Sequence, residues 1–104
     1  MELLTEELKE KLPTVQEMDQ KEDPMVLAKY FHPLSDWTWY VCSFDPENGI
    51  FYGLVDGHEL EFGPFSLDEM REVEVKGLGI ERDLHFKPMK LSELENKLES
   101  GEHV

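Results

Sequence analysis

Residues 37–55, with the sequence WTWYVCSFDPENGIFYGLV, predict two neighbouring antiparallel strands joined by a tight turn. Side chains alternate along a strand with period 2. In a first strand from Trp37 to Phe44, alternation places on one face Trp37, Trp39 and Val41, and on the other Thr38, Tyr40, Cys42 and Phe44. Both faces are largely apolar, which is typical of a central strand covered on both sides. The turn at residues 45–49 contains Asn-Gly, which tolerates positive φ, and Ile50 to Val55 returns as the second strand.

Three further strands are predicted outward from this hairpin. Met25 to Phe31 precedes it, and His58 to Phe62 follows it and ends where Gly63-Pro64 is expected to break the sheet. The last strand is Ile80-Glu81-Arg82-Asp83-Leu84-His85-Phe86. Its alternation places on one face Ile80, Arg82, Leu84 and Phe86, and on the other Glu81, Asp83 and His85. Because two hairpin signals follow each other, the sheet is expected to be antiparallel.

Three short helices are predicted from capping signals and apolar spacing. Thr5 is the expected N-cap of the first helix, whose apolar stripe is Leu4, Leu8 and Leu12 and which ends at Pro13. Residues 14–24 are polar and predict a connector. Capping boxes predict the starts of the other two helices. In the second helix the box is Ser66 with Glu69, and Leu67 and Met70 face inward. In the third helix the box is Ser92 with Glu95, and Leu94 and Leu98 lie on one side.

These elements predict an α+β fold with one curved antiparallel sheet, a meander of four to five strands, and three short helices. At 104 residues the chain fits a single domain over residues 1–104. Within it we expect an N-terminal helix and connector at 1–23, a core at 24–99 and a frayed tail at 100–104.

Charge is the strongest compositional signal. The chain has 24 acidic and 10 basic residues, for a net charge of −14, which argues against direct nucleic-acid binding because phosphates must be met by Lys and Arg. No Lys or Arg lies between Lys29 and Arg71, whereas eight acids do: Asp36, Asp45, Glu47, Asp56, Glu59, Glu61, Asp68 and Glu69. This interval serves solubility, or it steers a basic partner. In the second interpretation the partner-binding residues are Asp45, Glu47, Asp56, Glu59 and Glu61.

The cysteine content, the lengths of the apolar runs and the missing motifs limit the cellular location and the chemistry that can be expected of the chain. The single cysteine, Cys42, excludes an internal disulfide and is expected to be a buried structural thiol. No apolar run approaches 18 residues, and the first residues lack the features of a signal peptide, so a cytoplasmic location is expected. Hydrolase nucleophile motifs, phosphate-binding glycine loops and paired zinc cysteines are missing, and no cofactor is expected. The interleaved aromatics of residues 37–52 indicate core packing rather than single-stranded nucleic-acid binding, which also needs a basic groove.

Glu81, Asp83 and His85 form the one row with metal-ligand chemistry. Carboxylates and imidazole suit a divalent transition metal, but alternate strand residues lie about 6.5–7 Å apart, so a meander acid would have to help. The ordinary alternative is a polar row with structural hydrogen bonds. For Arg82 on the apolar face, we expect an ion pair with Asp45, Asp56 or Glu61, since an unpaired buried guanidinium is costly.

Several blocks of the sequence, taken together, resemble the bacterial family of unknown function DUF2958 over about residues 24–95. They are Trp37-Thr38-Trp39-Tyr40, Asp45-Pro46, Tyr52-Gly53-Leu54-Val55-Asp56, Glu61-Phe62-Gly63, Phe65-Ser66-Leu67-Asp68-Glu69-Met70 and the block from Ile80 to Phe86. The resemblance implies a small stand-alone bacterial protein, often encoded on plasmids, phages and integrated elements, and it carries no catalytic residue or cofactor. Pro64-Phe65 departs from the family, in which an aromatic more often follows the glycine directly.

Three functional hypotheses remain at this stage. The first is a non-enzymatic interaction protein of a mobile element that binds a basic protein surface, in its sharper form an anti-defence or antirestriction factor with carboxylates in place of phosphates. The second is a metal-binding module or metal-dependent enzyme that uses Glu81, Asp83 and His85. The third is a structural or regulatory subunit whose charge serves only solubility.

Overall fold

The computed structural model of the protein describes residues 2–104. Its helices are α1 (Glu6–Lys11), α2 (Val15–Asp19), α3 (Leu67–Glu72) and α4 (Leu91–Glu99). Its strands are β1 (Met25–Val26), β2 (Ala28–Phe31), β3 (Thr38–Asp45), β4 (Ile50–Asp56), β5 (Leu60–Ser66), β6 (Glu74–Val75), β7 (Leu78–Gly79), β8 (Glu81–Arg82) and β9 (Met89–Lys90). The α+β class is confirmed, with four helices in the described residues rather than three.

The main sheet has five antiparallel strands in the order β5-β4-β3-β2-β8. Two small antiparallel pairs accompany it, β1 with β9 and β6 with β7. The predicted central position of β3 is confirmed, because it lies between β2 and β4 and packs a hydrophobic cluster on each face. The first cluster includes Val41 and Phe51 together with the leucine stripe of α1, and the second includes Cys42 and Leu94 of α4.

A β-bulge in β3 changes which cluster Phe44 joins. Val41 pairs with Gly53 while Ser43 pairs with Tyr52, so β3 carries one extra residue there. Such a residue reverses the alternation of the side chains beyond it. Phe44 therefore lies on the same face as Val41, with its ring centroid 4.9 Å from that of Phe51. The predicted placement of Phe44 beside Cys42 was wrong for this reason.

The strand β5 continues through Gly63-Pro64, where the sequence predicted a break. Pro64 pairs with Tyr52, and β5 is the outermost strand of the sheet. A proline is tolerated on an edge strand because the missing N–H faces solvent instead of the ladder. The helix α3 then begins as predicted, since Ser66 Oγ accepts a hydrogen bond from the backbone N–H of Glu69 at 3.2 Å.

The predicted connector at residues 14–24 contains the helix α2. Thr14 is its N-cap, and a complete capping box links Thr14 with Glu17. Thr14 and Glu17 have the spacing of a capping box in the sequence as well, but the short polar segment around them predicted a connector. By contrast, Ser92 is not the N-cap of α4. The helix begins at Leu91, and the carboxylate of Asp23 accepts hydrogen bonds from the backbone N–H and the hydroxyl of Ser92.

The predicted strand over residues 80–86 ends after two residues. β8 covers Glu81–Arg82, and a turn follows in which Phe86 N–H donates to the Asp83 carbonyl at 3.3 Å. Because of this turn, the side chains of residues 83–86 do not alternate between two faces as predicted. Ile80 joins the first hydrophobic cluster and Phe86 packs against the second, whereas Leu84 is 68% exposed.

The tail predicted to be frayed lies against the domain. The side chain of Val104 packs against the second hydrophobic cluster, and Lys29 Nζ donates to the Val104 carbonyl oxygen. Residues 100–104 thereby cover part of the sheet face beside the C-terminal end of α4.

Candidate functional site

The five acids predicted to bind a partner divide between the two ends of β3 and β4. Asp45 pairs with Ile50 at one end, and Thr38 pairs with Asp56 at the other. Because a strand rises about 3.3 Å per residue, these ends lie roughly 20 Å apart. Asp45 and Glu47 occupy the first end, and Asp56, Glu59 and Glu61 the second. The structure therefore does not unite them in one surface.

Asp45 is used inside the turn that joins β3 to β4. Its carboxylate accepts hydrogen bonds from the Asn48 side chain at 2.8 Å and from the backbone N–H groups of Glu47 and Asn48 at 3.0 and 3.4 Å. The Asn48 side chain is the main reason why the pKa of Asp45 lies below its usual value, with the turn amides adding to it. Asp45 thus stabilises the turn.

Glu59, Glu61 and Trp37 form what we call the acidic end of the sheet, whereas Asp56 projects from the opposite face of β4. A shallow pocket of about 280 Å³ opens there, lined by Trp37, Val55, His58, Glu59 and Glu61. Glu59 and Glu61 are exposed, and Asp56 is half-buried. Within residues 2–104, none of these three carboxylates forms a salt bridge with a basic side chain. Their charge is therefore not neutralised by the fold.

Trp37 is fixed at the acidic end although it is 37% exposed. Its ring stands edge-on to His58 at a centroid distance of 5.4 Å and lies 6.2 Å from the Trp39 ring. A Cβ added at Gly57 would stand 2.7 Å from the Trp37 ring, so only glycine lets the ring lie so close to the backbone. The acidic end therefore presents a preorganised aromatic face beside free carboxylates.

A second concave feature, which we call the sheet cleft, lies on the opposite side of the same strands. Its volume is about 570 Å³, and its walls include Lys29, Thr38, Tyr40, Asp56 and Asp83. Lys29 pairs directly with Tyr40 across β2 and β3, and Thr38 pairs with Asp56 across β3 and β4. Directly opposed residues project from the same face, which explains why these polar groups converge.

Lys29 is the buried cation of the sheet cleft, with 8% of the residue exposed. Its Nζ lies 3.6 Å from Asp83 Oδ2, and the backbone N–H of Asp83 donates to the Lys29 carbonyl at 2.9 Å. Tyr40 is 2% exposed, and burial together with Asp56 and Asp83 raises its pKa to about 12. The Tyr40 hydroxyl therefore stays protonated, and it forms no hydrogen bond with residues 2–104.

The row of Glu81, Asp83 and His85 is not a straight row in the structure. Asp83 Oδ1 accepts a hydrogen bond from the His85 backbone N–H at 2.9 Å, and its other oxygen faces Lys29. Glu81 pairs with Phe31 on β2, and His85 is exposed within the turn. No group of three or more His, Cys, Asp or Glu that could hold a metal ion occurs in the described part of the chain. The metal hypothesis is not supported by this geometry.

The ion pair predicted for Arg82 stays a prediction. Arg82 is half-buried on β8 opposite Tyr30, at the far side of the sheet from β4 and β5. A buried cation and carboxylate do link the last strand region to the meander, but they are Lys29 and Asp83. Cys42 is fully buried as predicted, and burial raises the pKa of its thiol to about 12, which keeps the thiol protonated at neutral pH.

The sequence interpretation missed Lys29, Tyr40 and Thr38 as members of one site. A lysine between Ala28 and Tyr30 within an apolar strand was the available signal, because a charged residue there must meet a partner. The pairing of β2 with β3 brings Lys29 to Tyr40, and no spacing within a single strand predicts that register.

Comparison with known proteins gives the family. The family described as "Protein of unknown function (DUF2958)" matches residues 3–101. The chain belongs to this family. The match extends the resemblance found in residues 24–95 across α1 and α4, so nearly the whole α+β domain is the DUF2958 unit. No curated protein and no solved structure matches the chain. Among the described residues of this DUF2958 member, no helix is long and apolar enough to span a membrane.

Proposed function

We propose that this DUF2958 protein is a non-enzymatic interaction factor that binds a basic protein surface through its acidic end. The observation that supports this is the convergence of Glu59 and Glu61 beside the exposed ring of Trp37, with no salt bridge to these acids within residues 2–104. Carboxylates left free by the fold keep their charge available for a partner.

The pocket of the acidic end suits a lysine or arginine side chain of that partner. Such a side chain can place its cation over the Trp37 face and its N–H donors against Glu59 and Glu61. The pocket volume of about 280 Å³ is of the size of one long side chain rather than of a cofactor. Because Trp37 is already held by His58 and Gly57, little ordering is lost on binding.

The charge of the whole chain favours the same partner class. A net charge of −14, with no Lys or Arg between Lys29 and Arg71, attracts a basic surface over a distance and speeds its encounter. In the sharper form of the proposal the partner is a nucleic-acid-processing protein, and the carboxylates take the place of phosphates in its groove. This form corresponds to an anti-defence or antirestriction factor of a mobile element.

Affinity capture from a bacterial lysate tests the proposal with a charge-matched pair of variants. Glu59→Gln with Glu61→Gln removes two carboxylates of the acidic end, and Glu93→Gln with Glu99→Gln removes two exposed carboxylates of α4. Both double variants have the same net charge, so they separate a local site from a general acidic character. The affinity of each for the captured, purified partner is then measured at about 0.1 M and about 0.5 M salt, where the Debye length falls from about 10 Å to roughly 4 Å.

We expect the variant at the acidic end to lose about tenfold or more in affinity, and the α4 variant to bind as the unmodified protein does. Binding of the unmodified protein should weaken strongly at the higher salt concentration. Equal loss in both variants, or binding indifferent to salt, overturns the proposal. Competition between the protein and DNA or RNA for the partner supports the nucleic-acid-mimicking form, and simultaneous binding excludes that form.

A further inference from the structure

We propose that the sheet cleft binds a small organic cation that also carries a carboxylate or carbonyl oxygen, with the size and charges of a basic amino acid. The cleft is separate from the acidic end, and its volume of about 570 Å³ falls within the usual range for small-molecule sites. The proposal does not depend on the protein partner discussed above, because it rests on groups inside the cleft.

The first group is the hydroxyl of Tyr40. Tyr40 is 2% exposed and lines the cleft, yet its hydroxyl forms no hydrogen bond with residues 2–104. The hydroxyl oxygen itself remains accessible from the cleft, since Ser43 Oγ is the one fully buried side-chain oxygen or nitrogen without a partner in residues 2–104. Because burial raises the pKa of Tyr40 to about 12, the hydroxyl is a proton donor at neutral pH. A ligand oxygen in the cleft would satisfy it.

The second group is the ammonium of Lys29, which is opposite Tyr40 in the sheet. An ammonium has three N–H donors, of which one donates to the carbonyl of Val104, while the carboxylate of Asp83 is a salt-bridge partner at 3.6 Å. The Val104 carbonyl occupies one position beside the ammonium, and the ligand oxygen would take another on the side of Tyr40. Lys29 and Tyr40 together therefore form the end of the cleft that receives the ligand oxygen.

The remaining walls determine the charge of the ligand. Four carboxylates line the cleft, and they belong to Asp36, Asp56, Asp83 and Glu102. Only Asp83 is paired with Lys29, and no salt bridge within residues 2–104 involves the other three. A simple anion would be repelled by this surplus, whereas a ligand with an ammonium or guanidinium opposite its oxygen meets Asp56. Charge complementarity thus selects a cationic ligand.

Three probe molecules distinguish binding of the ligand's cation from binding of its carboxylate. L-Arginine carries both the cation and the carboxylate, 1,4-diaminobutane carries only cations, and acetate carries only the carboxylate. In calorimetric titrations of the full chain at low salt, we expect saturable one-to-one binding of L-arginine, weaker binding of the diamine and none of acetate. Amide resonances of Lys29, Tyr40 and Asp56 should shift on addition of L-arginine.

Variants locate the binding. Tyr40→Phe removes only a hydroxyl that forms no hydrogen bond with residues 2–104, so the melting temperature should stay unchanged while L-arginine binding weakens roughly tenfold. Asp56→Asn should weaken L-arginine and the diamine alike. The matched controls are Tyr52→Phe and Asp19→Asn, which change the same groups outside the cleft.

The inference is overturned if L-arginine shows no saturable binding up to about 10 mM, the weak end of specific recognition. Equal binding by acetate, or undiminished binding by the Tyr40→Phe and Asp56→Asn proteins, also overturns it. Since neither variant of the cleft removes Glu59 or Glu61, failure here leaves the capture experiment on the acidic end independent.

Discussion

Ser43 shows at the scale of one residue how the bulge in β3 affects stability. The residue is fully buried where the register shifts, and its Oγ is the one buried side-chain oxygen or nitrogen without a hydrogen-bond partner in the part of the chain that the structure describes. Desolvating a hydroxyl without a partner costs free energy. The small side chain of Ser43 fits at the bulge, but its hydroxyl contributes no hydrogen bond to the described residues.

Replacing Ser43 with alanine should therefore stabilise the protein. We expect the free energy of unfolding to rise by about 1 kcal/mol, since the desolvation cost disappears and no hydrogen bond is lost. Urea unfolding monitored by circular dichroism measures this change. Ser66→Ala is the matched comparison, because Ser66 caps α3, and its loss should lower the free energy of unfolding by about 1 kcal/mol. A destabilised Ser43→Ala protein would show that the hydroxyl has a partner.

At the scale of the secondary-structure elements, Gly53 of β4 determines how closely β3 and β4 approach each other beside the bulge. A Cβ added there would lie 1.7 Å from the carbonyl oxygen of Tyr40 in β3, a backbone atom that cannot move aside. Gly63, its partner in β5, has open space around the corresponding position. The two glycines are thus neighbours in the sheet, but only at Gly53 does the packing exclude a larger side chain.

Gly53→Ala should destabilise the protein by about 3 kcal/mol or more, because β3 and β4 would have to separate at the centre of the sheet. Gly63→Ala should leave stability unchanged or raise it by up to about 1 kcal/mol, since alanine loses less backbone entropy in a strand. Thermal unfolding of the two variants measures the difference. Similar melting temperatures for both would contradict the close approach of Gly53 to Tyr40.

The same elements explain what the sequence could predict and what it could not. Alternation and turn residues predicted the hairpin of β3 and β4, and apolar spacing predicted the buried Leu8 of α1, because these signals are local. The bulge at Ser43 and the proline-containing edge strand β5 depend on neighbouring strands, so local patterns were misleading there. The sheet cleft escaped prediction for the same reason, since Lys29 meets Tyr40 only across two strands.

Negative charge is distributed over the whole molecule, and few described basic groups offset it. The ion pairs of Lys11 with Glu7, Lys29 with Asp83 and Arg71 with Asp68 engage three of the 24 acidic side chains, and the molecule measures 40 × 35 × 23 Å. At about 0.01 M salt the Debye length is about 30 Å, so repulsion reaches across nearly all of the fold. Self-repulsion of this kind favours the expanded, unfolded chain.

Added sodium chloride should therefore raise the melting temperature between about 0.01 M and about 0.1 M, where the Debye length shortens from about 30 Å to about 10 Å. Calorimetry at neutral pH measures the slope of this dependence. Changing Glu22, Glu93 and Glu99 to glutamine makes the net charge less negative at exposed positions. The melting temperature of this variant should depend less on salt, because less repulsion remains to be screened. A melting temperature that falls with salt would mean that attractive ion pairs such as Lys29 with Asp83 outweigh the repulsion. Because that pair is mostly buried, salt screens it less than it screens the exposed acids, and the repulsive contribution should dominate.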